Sequence, residues 1–577
     1  MKTNFLSIFR PMLLVFIGFY LTFSCSKLNP LDEVELTVNN DVTKSPILIH
    51  FANANSSSTN VPGDFNVTIS GKNANLVEMD GGSTNFQASH GLLPLYIVNT
   101  ANPSTTNPVK FNVYAEIPGF APVTQSVTIT SDSVKVIDIT AIEYANPADG
   151  TSVSVSQATL TNGVSNGDNF KTGTSATMSE TTTVTIPAGT KVLDANGVAI
   201  NANQLTSNIV HFSPSSPTSY SAFPGGFNPT NVVDQNGQPI NNGEGINFVS
   251  AGLVAINMKA GNTDVKQFSS PVKVSMEINA NTTNFDTGEN IKVGDVVPLW
   301  SLNEQTGQWK SEGDVTVTTN SNGKLVANFE TKHLSCFNLD WYWYGIRTCN
   351  RPLTVTLRIG PGKSGYFDVT LVTPNNQYLA ALHGAYLTDG MRVTFPYVAQ
   401  IPQAKIVISS FNLYLNPRLP ILAQTNLFNP CAQGAIDIIF GAPATPDIVK
   451  VNINISGKCS NKNVKILPSG WFYLYDNTDA MAGKNPWTYL YLVNGVINFS
   501  YGSKITNNNG VLTIELVNGH QYMVYSWNNN TWYSSGLFTL NKNNFALPPG
   551  TGIVGNSVYN AGTNTLNITG TFTPNCK

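Results

Sequence analysis

The chain has 577 residues and a formal net charge of −3, with 31 Lys and Arg against 34 Asp and Glu. Only 11% of its residues are charged, so no basic surface draws a nucleic acid and no acidic tail draws a cationic partner. Solubility must rest on neutral polar side chains, and the length predicts about three to five domains, each burying its own core.

At the N-terminus Lys2 and Arg10 accompany the apolar run from Met12 to Phe23, which is too short to cross a bilayer as a helix and reads as the core of a secretory signal. The run ends in Leu21-Thr22-Phe23-Ser24-Cys25. This tail resembles the lipobox of bacterial lipoproteins, and Phe-Ser-Cys-Ser-Lys resembles the version seen in Bacteroidota. The resemblance implies that residues 1–24 are removed, that Cys25 becomes a lipidated (palmitate-bearing) first residue, and that the chain is held at the outer membrane, facing the cell surface or the periplasm. Each buried methylene contributes about 0.8 kcal/mol, so several acyl chains anchor where one does not. Residues 25–41 then read as the lipidated cysteine and a polar tether.

Beyond the signal, short alternating runs rich in Thr and Val, bounded by Asn, Gly and Pro, predict an all-β chain of tandem β-sandwich domains. In 42–145 the strands Phe111-Asn112-Val113-Tyr114-Ala115 and Gln125-Ser126-Val127-Thr128-Ile129-Thr130 flank Pro118-Gly119-Phe120-Ala121-Pro122. That glycine-phenylalanine turn resembles the carboxypeptidase regulatory-like and related transthyretin-like (Ig-like) sandwiches. Residues 146–181, rich in Thr, Ser, Asn and Gly, read as a linker. A larger domain is expected over 182–345. It opens on Val184-Thr185-Ile186-Pro187-Ala188-Gly189, continues through the alternating run Val272, Val274, Met276, Ile278, and reaches two aromatic-bearing strands around a polar turn, Leu299 to Trp309. The order of these pieces, ending in His333-Leu334-Ser335, resembles ZU5-like extracellular sandwiches. Two further sandwiches are expected at 346–446 and 447–577. In the first, Leu353 to Ile359 and Tyr366 to Val372 predict a hairpin around a glycine loop, and in the second, Val449, Val451, Ile453 and Ile455 share one strand face.

Several motifs mimic enzymes without the surrounding structure those enzymes need. Gly163-Val164-Ser165-Asn166-Gly167 fits G-x-S-x-G but reads as part of a Ser/Asn/Gly-rich loop, with neither a preceding strand nor a following helix expected. Gly360-Pro361-Gly362-Lys363-Ser364-Gly365 fits G-x-G-x-x-G, yet a strand follows in place of the helix whose N-terminus would hold a pyrophosphate. Strand periodicity places His333 and Ser335 on one inward face, a base beside a hydroxyl. His-Leu-Ser resembles the self-cleavage tripeptide of GAIN domains and the His-Phe-Ser of some ZU5 proteins. The resemblance implies catalytic roles in autoproteolysis, with His333 taking the proton of Ser335 as its oxygen attacks the Leu334 carbonyl. A buried His-Ser hydrogen bond beneath the aromatics Phe337, Trp341 and Trp343 is the alternative.

In the last domain Trp471, Tyr473 and Tyr475 share one strand face, as do Trp487, Tyr489 and Tyr491. An exposed row of this kind stacks on sugar rings, whereas a buried one is core. Apart from Cys25, five cysteines remain, and Cys349 with Cys431 and Cys459 with Cys576 each bracket a strand-rich unit, which predicts two disulfides and a free Cys336. No Cys-x-x-Cys occurs and the six histidines are scattered, so no metal site and no cofactor are expected. The sequence reads as a non-enzymatic envelope lipoprotein that binds, adheres or builds. Its partners would be the membrane, through the lipid, and a glycan or protein ligand, with no nucleic acid. Self-processing at Leu334-Ser335 and accessory carbohydrate binding are the competing readings.

Overall fold

The computed structural model describes residues 36–39, 44–410, 421–441, 446–482, 484–508, 510–528 and 531–573. Cys25, most of its tether and Cys576 lie outside them. The protein is all-β, a set of tandem sandwiches, and its α-helices among the described residues are the five-residue turns Pro217–Ser221 and Asn477–Met481. The alternation that predicted strands also sets their burial: in Ile448–Lys458 the residues Val449, Val451, Ile453 and Ile455 are buried while their neighbours are half-buried or exposed. No helix among the described residues is long and apolar enough to cross a membrane.

The described residues fall into two compact units, one within Thr43–Thr445 with Ala482–Asn485, the other within Met1–Val42, Pro446–Met481 and Pro486–Lys577. The larger unit holds three sandwiches. In the first, Lys44–Asn53 lies between Leu92–Ile97 and Lys135–Ala141, and packs on a sheet that includes Phe65–Ser70, Val109–Ala115 and Val123–Ile129 around Ile49, Phe51, Phe111 and Val113.

The second sandwich begins earlier than its sequence suggested. Residues 146–181, expected as a linker, contain Thr151–Thr161, which pairs along its length with Gln204–Phe212, and Asp168–Lys171, which pairs with Thr182–Ile186. The run Thr-Ser-Val-Ser-Val-Ser-Gln-Ala-Thr-Leu-Thr lies near the sheet edge and buries little of its length, so it needs few large apolar side chains. The long strand Gln308–Thr319 joins the two sheets, pairing with Val296–Asn303 in one and Leu325–His333 in the other.

In the third sandwich the glycine loop connects differently from the expected hairpin. Leu353–Arg358 pairs with Arg392–Phe395 and Ala435–Ile439, while Ser364–Val372 pairs with Tyr378–Thr388 and Lys405–Ser410 in the facing sheet. Gly360 and Gly362, at φ +103 and +71, turn the chain from one sheet to the other. Both strands carry an apolar face toward the same core, so alternation alone fits either connection. The sandwich is closed by the disulfide Cys349–Cys431.

Buried joints unite these three sandwiches. At the first, Ala54, Ala121, Ile142 and Ala148 share a core with Phe212, Phe223, Phe248, Trp300 and Trp309, and Gly225 N–H donates to Thr124 O at 2.9 Å. At the second, the fully buried amide of Gln377 accepts from Thr283 N at 2.7 Å and donates to Ser250 O at 2.9 Å.

In the other unit Ile448–Lys458 pairs parallel with Thr565–Phe572 and antiparallel with Val511–Val517, and Gly470–Asp476 lies between Trp487–Val493 and Gln521–Asn528. Val451, Ile453, Phe472, Leu474, Leu490 and Leu566 form its core. Leu36–Asn39 adds a parallel partner to Val464–Leu467.

Candidate functional site

Leu325–His333 belongs to one sheet of the second sandwich and Cys336–Trp343 to the other, so Leu334 and Ser335 form the crossing between sheets. The period of two stops at His333 for that reason. His333 is half-exposed, with Nδ1 3.2 Å from Thr331 Oγ1 and Nε2 3.6 Å from Glu312 Oε1, and partial desolvation lowers its pKa despite the nearby glutamate. Ser335 is buried, and its hydroxyl donates to Leu302 O at 2.6 Å and accepts from Leu302 N at 3.0 Å. Among the described hydrogen bonds none joins His333 to Ser335. The shared inward face expected of them is therefore corrected: the chain turns between the two residues, and each finds a different partner.

Leu334 lines a cavity of about 310 Å³ inside the larger unit. One wall is the Pro118-Gly119-Phe120 turn of the first sandwich, and others come from Asn257, Met258 and Lys259 of the strand Asn247–Ala260, from Asp264 to Lys266, and from Glu304 in the turn after Val296–Asn303. Glu304 and Cys336 are drawn together because Leu302 and Cys336 are register partners in neighbouring strands. The Cys336 thiol donates to Glu304 Oε1 at 3.1 Å. Desolvation raises the Glu304 carboxyl above its usual range, and burial, then the Glu304 charge, pushes the thiol well up. A thiol held protonated and enclosed is a poor nucleophile and a poor disulfide partner. Alkylation of the native protein should leave the Cys336 peptide unlabelled, and denaturation should expose it; mass-mapped labelling at equal rates in both states would refute this.

Sequence reasoning did not find the cavity. Cys336 read as a leftover thiol, and Glu304 read as one polar residue of a turn, because the pair is 32 residues apart and no local spacing links them.

The aromatic rows of the C-terminal unit are sheet packing for the most part. Trp471, Tyr473, Tyr489 and Tyr491 are buried, while Tyr475 and Trp487 are half-buried. Cross-strand register sets Trp471 against Tyr491, Tyr473 against Tyr489 and Tyr475 against Trp487, with ring centroids 5.3, 6.2 and 4.8 Å apart. Four of the six rings thus lack the open face on which a sugar would stack, since Phe472, Leu474 and Leu490 on the opposite side of the same strands are buried too. Cys459 is disulfide-bonded, and Cys576, its expected partner, lies outside the described residues.

One carboxylate and imidazole group was missed because 44 residues separate its members. Asp476, Asp479 and His520 bring potential ligand atoms within 4.8 Å of one another. Asp476 already accepts the N–H groups of Thr478 and Asp479 at 2.9 and 3.0 Å and lies 2.8 Å from His520 Nδ1. This arrangement caps the turn Asn477–Met481 and ties it to the start of the neighbouring strand Gln521–Asn528.

No family model and no curated protein matches the chain. Among solved structures, BcpA, the major pilin subunit of Bacillus cereus, is 10% identical with a TM-score of 0.12, covering 70% of this chain and 100% of that one. The Bacillus anthracis TIE protein is 10% identical at 0.13, covering 74% and 75%, and the full-length RrgB pilus protein from Streptococcus pneumoniae is 10% identical at 0.13, covering 86% and 94%. Likeness this low carries no weight for function.

Proposed function

We propose that this chain is a lipid-anchored, non-enzymatic element of the cell envelope, serving as a structural or adhesive module. The observation that supports this reading is the way three sandwiches are joined. Trp309, Phe223 and Gln377 seal the joints inside apolar cores and satisfied hydrogen bonds, where flexible linkers would let the domains move independently. Such a body holds its three sandwiches in a fixed relation to one another. The apolar run ending in Ser24-Cys25 supplies the anchor. A glycan or protein would be the bound partner.

Fractionation of cells tests the reading. The wild-type protein should partition with the outer membrane and the Cys25→Ala variant should be released. A variant that stays wholly with the membrane would overturn the anchor. Limited proteolysis of the purified protein supplies the second arm, in which residues 146–181 should resist cleavage longer than the exposed surface loops; early cutting there would overturn the united body.

A further inference from the structure

The C-terminal unit differs in charge from one end to the other. Ile448–Lys458 and Gln521–Asn528 run in the same direction through its sheet, and Val464–Leu467 and its parallel partner Leu36–Asn39 run in the opposite one. Leu36, Lys458, Val464 and Trp527 therefore stand at the same end of that sheet. The four acids of residues 446–573, Asp447, Asp476, Asp479 and Glu515, lie toward the other end, where Glu515 and Asp447 pair with Lys504 and Lys542. At the Leu36 end stand Lys458 and Lys462, both exposed, and the half-buried Lys465, and among the described ion pairs none includes them. Trp527 and Trp532 are half-buried there, directly opposite each other on neighbouring strands with ring centroids 5.1 Å apart. Residues 26–35 alone separate Leu36 from Cys25, a reach of at most about 40 Å. Tryptophan rings favour the interface between lipid headgroups and acyl chains, and lysines are drawn to lipid phosphates, so this end combines the side chains that suit a bilayer with the tether that leads to one. The tether's own Asp32, Glu33 and Glu35 are the rival partners of the three lysines.

We propose that this end of the C-terminal unit docks on a phospholipid surface, with Trp527 and Trp532 entering the headgroup layer and Lys458, Lys462 and Lys465 meeting lipid phosphates. Such docking rests on the lipid anchor proposed above, which brings this end within reach of the bilayer. Contacts of this number bind reversibly by themselves, so they orient the anchored chain without replacing its acyl chains. The Cys25→Ala chain is then still released from cells.

Co-sedimentation with vesicles tests this on the full chain from residue 25 carrying Cys25→Ala, which has no acyl chains, so the result does not depend on lipidation. Binding to vesicles of phosphatidylethanolamine and phosphatidylglycerol is expected, weakened by added salt. Trp527→Ala combined with Trp532→Ala should weaken it about tenfold. Lys458→Gln, Lys462→Gln and Lys465→Gln together should weaken it about tenfold and remove most of the salt dependence. The lysine arm stands even if the tryptophan variant does not fold, since Lys458 and Lys462 are exposed. Absence of vesicle binding, binding unmoved by the tryptophan pair, binding unmoved by the lysine variant because the tether's acids hold those side chains, or binding of a soluble β-glucan in place of vesicles would each overturn the proposal. Cell fractionation reads the anchor alone, so either reading can fail without the other.

Discussion

Trp309→Ala is expected to lower the stability of the larger unit by about 3–5 kcal/mol, the cost of emptying a large buried aromatic site. Trp309 has 0% exposure, its ring stacks on Phe223 at 6.1 Å and meets Phe248 edge-on at 5.2 Å. Its Nε1 is buried without a hydrogen-bond partner, so the loss comes from packing and from the cavity left behind. Collapse into that space is limited, because Gly225 already packs against the indole. A Cβ there would stand 2.8 Å from Nε1, and φ is +79. Since the ring lies in the core shared by the first two sandwiches, its removal should also open the joint. Calorimetric unfolding should show a lowered and broadened transition, with residues 146–181 newly sensitive to protease. A loss below about 1 kcal/mol, the size of an ordinary surface substitution or little more, would mean that the joint is held elsewhere.

Loss of the disulfide between Cys349 and Cys431 should cost a comparable amount. The bridge spans 82 residues, for which the chain-entropy account gives about 4.5 kcal/mol. The third sandwich is small, and its strand Leu353–Arg358 has its parallel partner, Ala435–Ile439, at the far end of that loop. The bridge therefore restrains the two ends that must meet. Replacing both cysteines by alanine is the clean test, because chemical reduction also opens the bond at Cys459. The double variant should unfold its third sandwich at a lower denaturant concentration than the other two. An unchanged midpoint would show that the parallel pair forms without covalent help.

The local chemistry of the chain determined that it is β throughout. Alternation in Val449, Val451, Ile453 and Ile455, turns at Asn and Gly, and the scarcity of helix-forming runs are properties of neighbouring residues, and they read correctly without knowing the fold. What lay beyond that reading is every choice between distant partners. Leu353–Arg358 and Ser364–Val372 alternate like a hairpin yet enter facing sheets, and Thr151–Thr161 looked like a linker because a near-edge strand buries so little. His333 and Ser335 part company because the chain changes sheets between them, an event that leaves no mark in a three-residue motif. Glu304 meets Cys336, and Asp476 meets His520, through strand register alone. Periodicity specifies which face of a strand is buried, but sheet pairing is a contest among strands of similar pattern. It is decided by loop closure and by the packing of whole cores, which only the assembled tertiary structure contains.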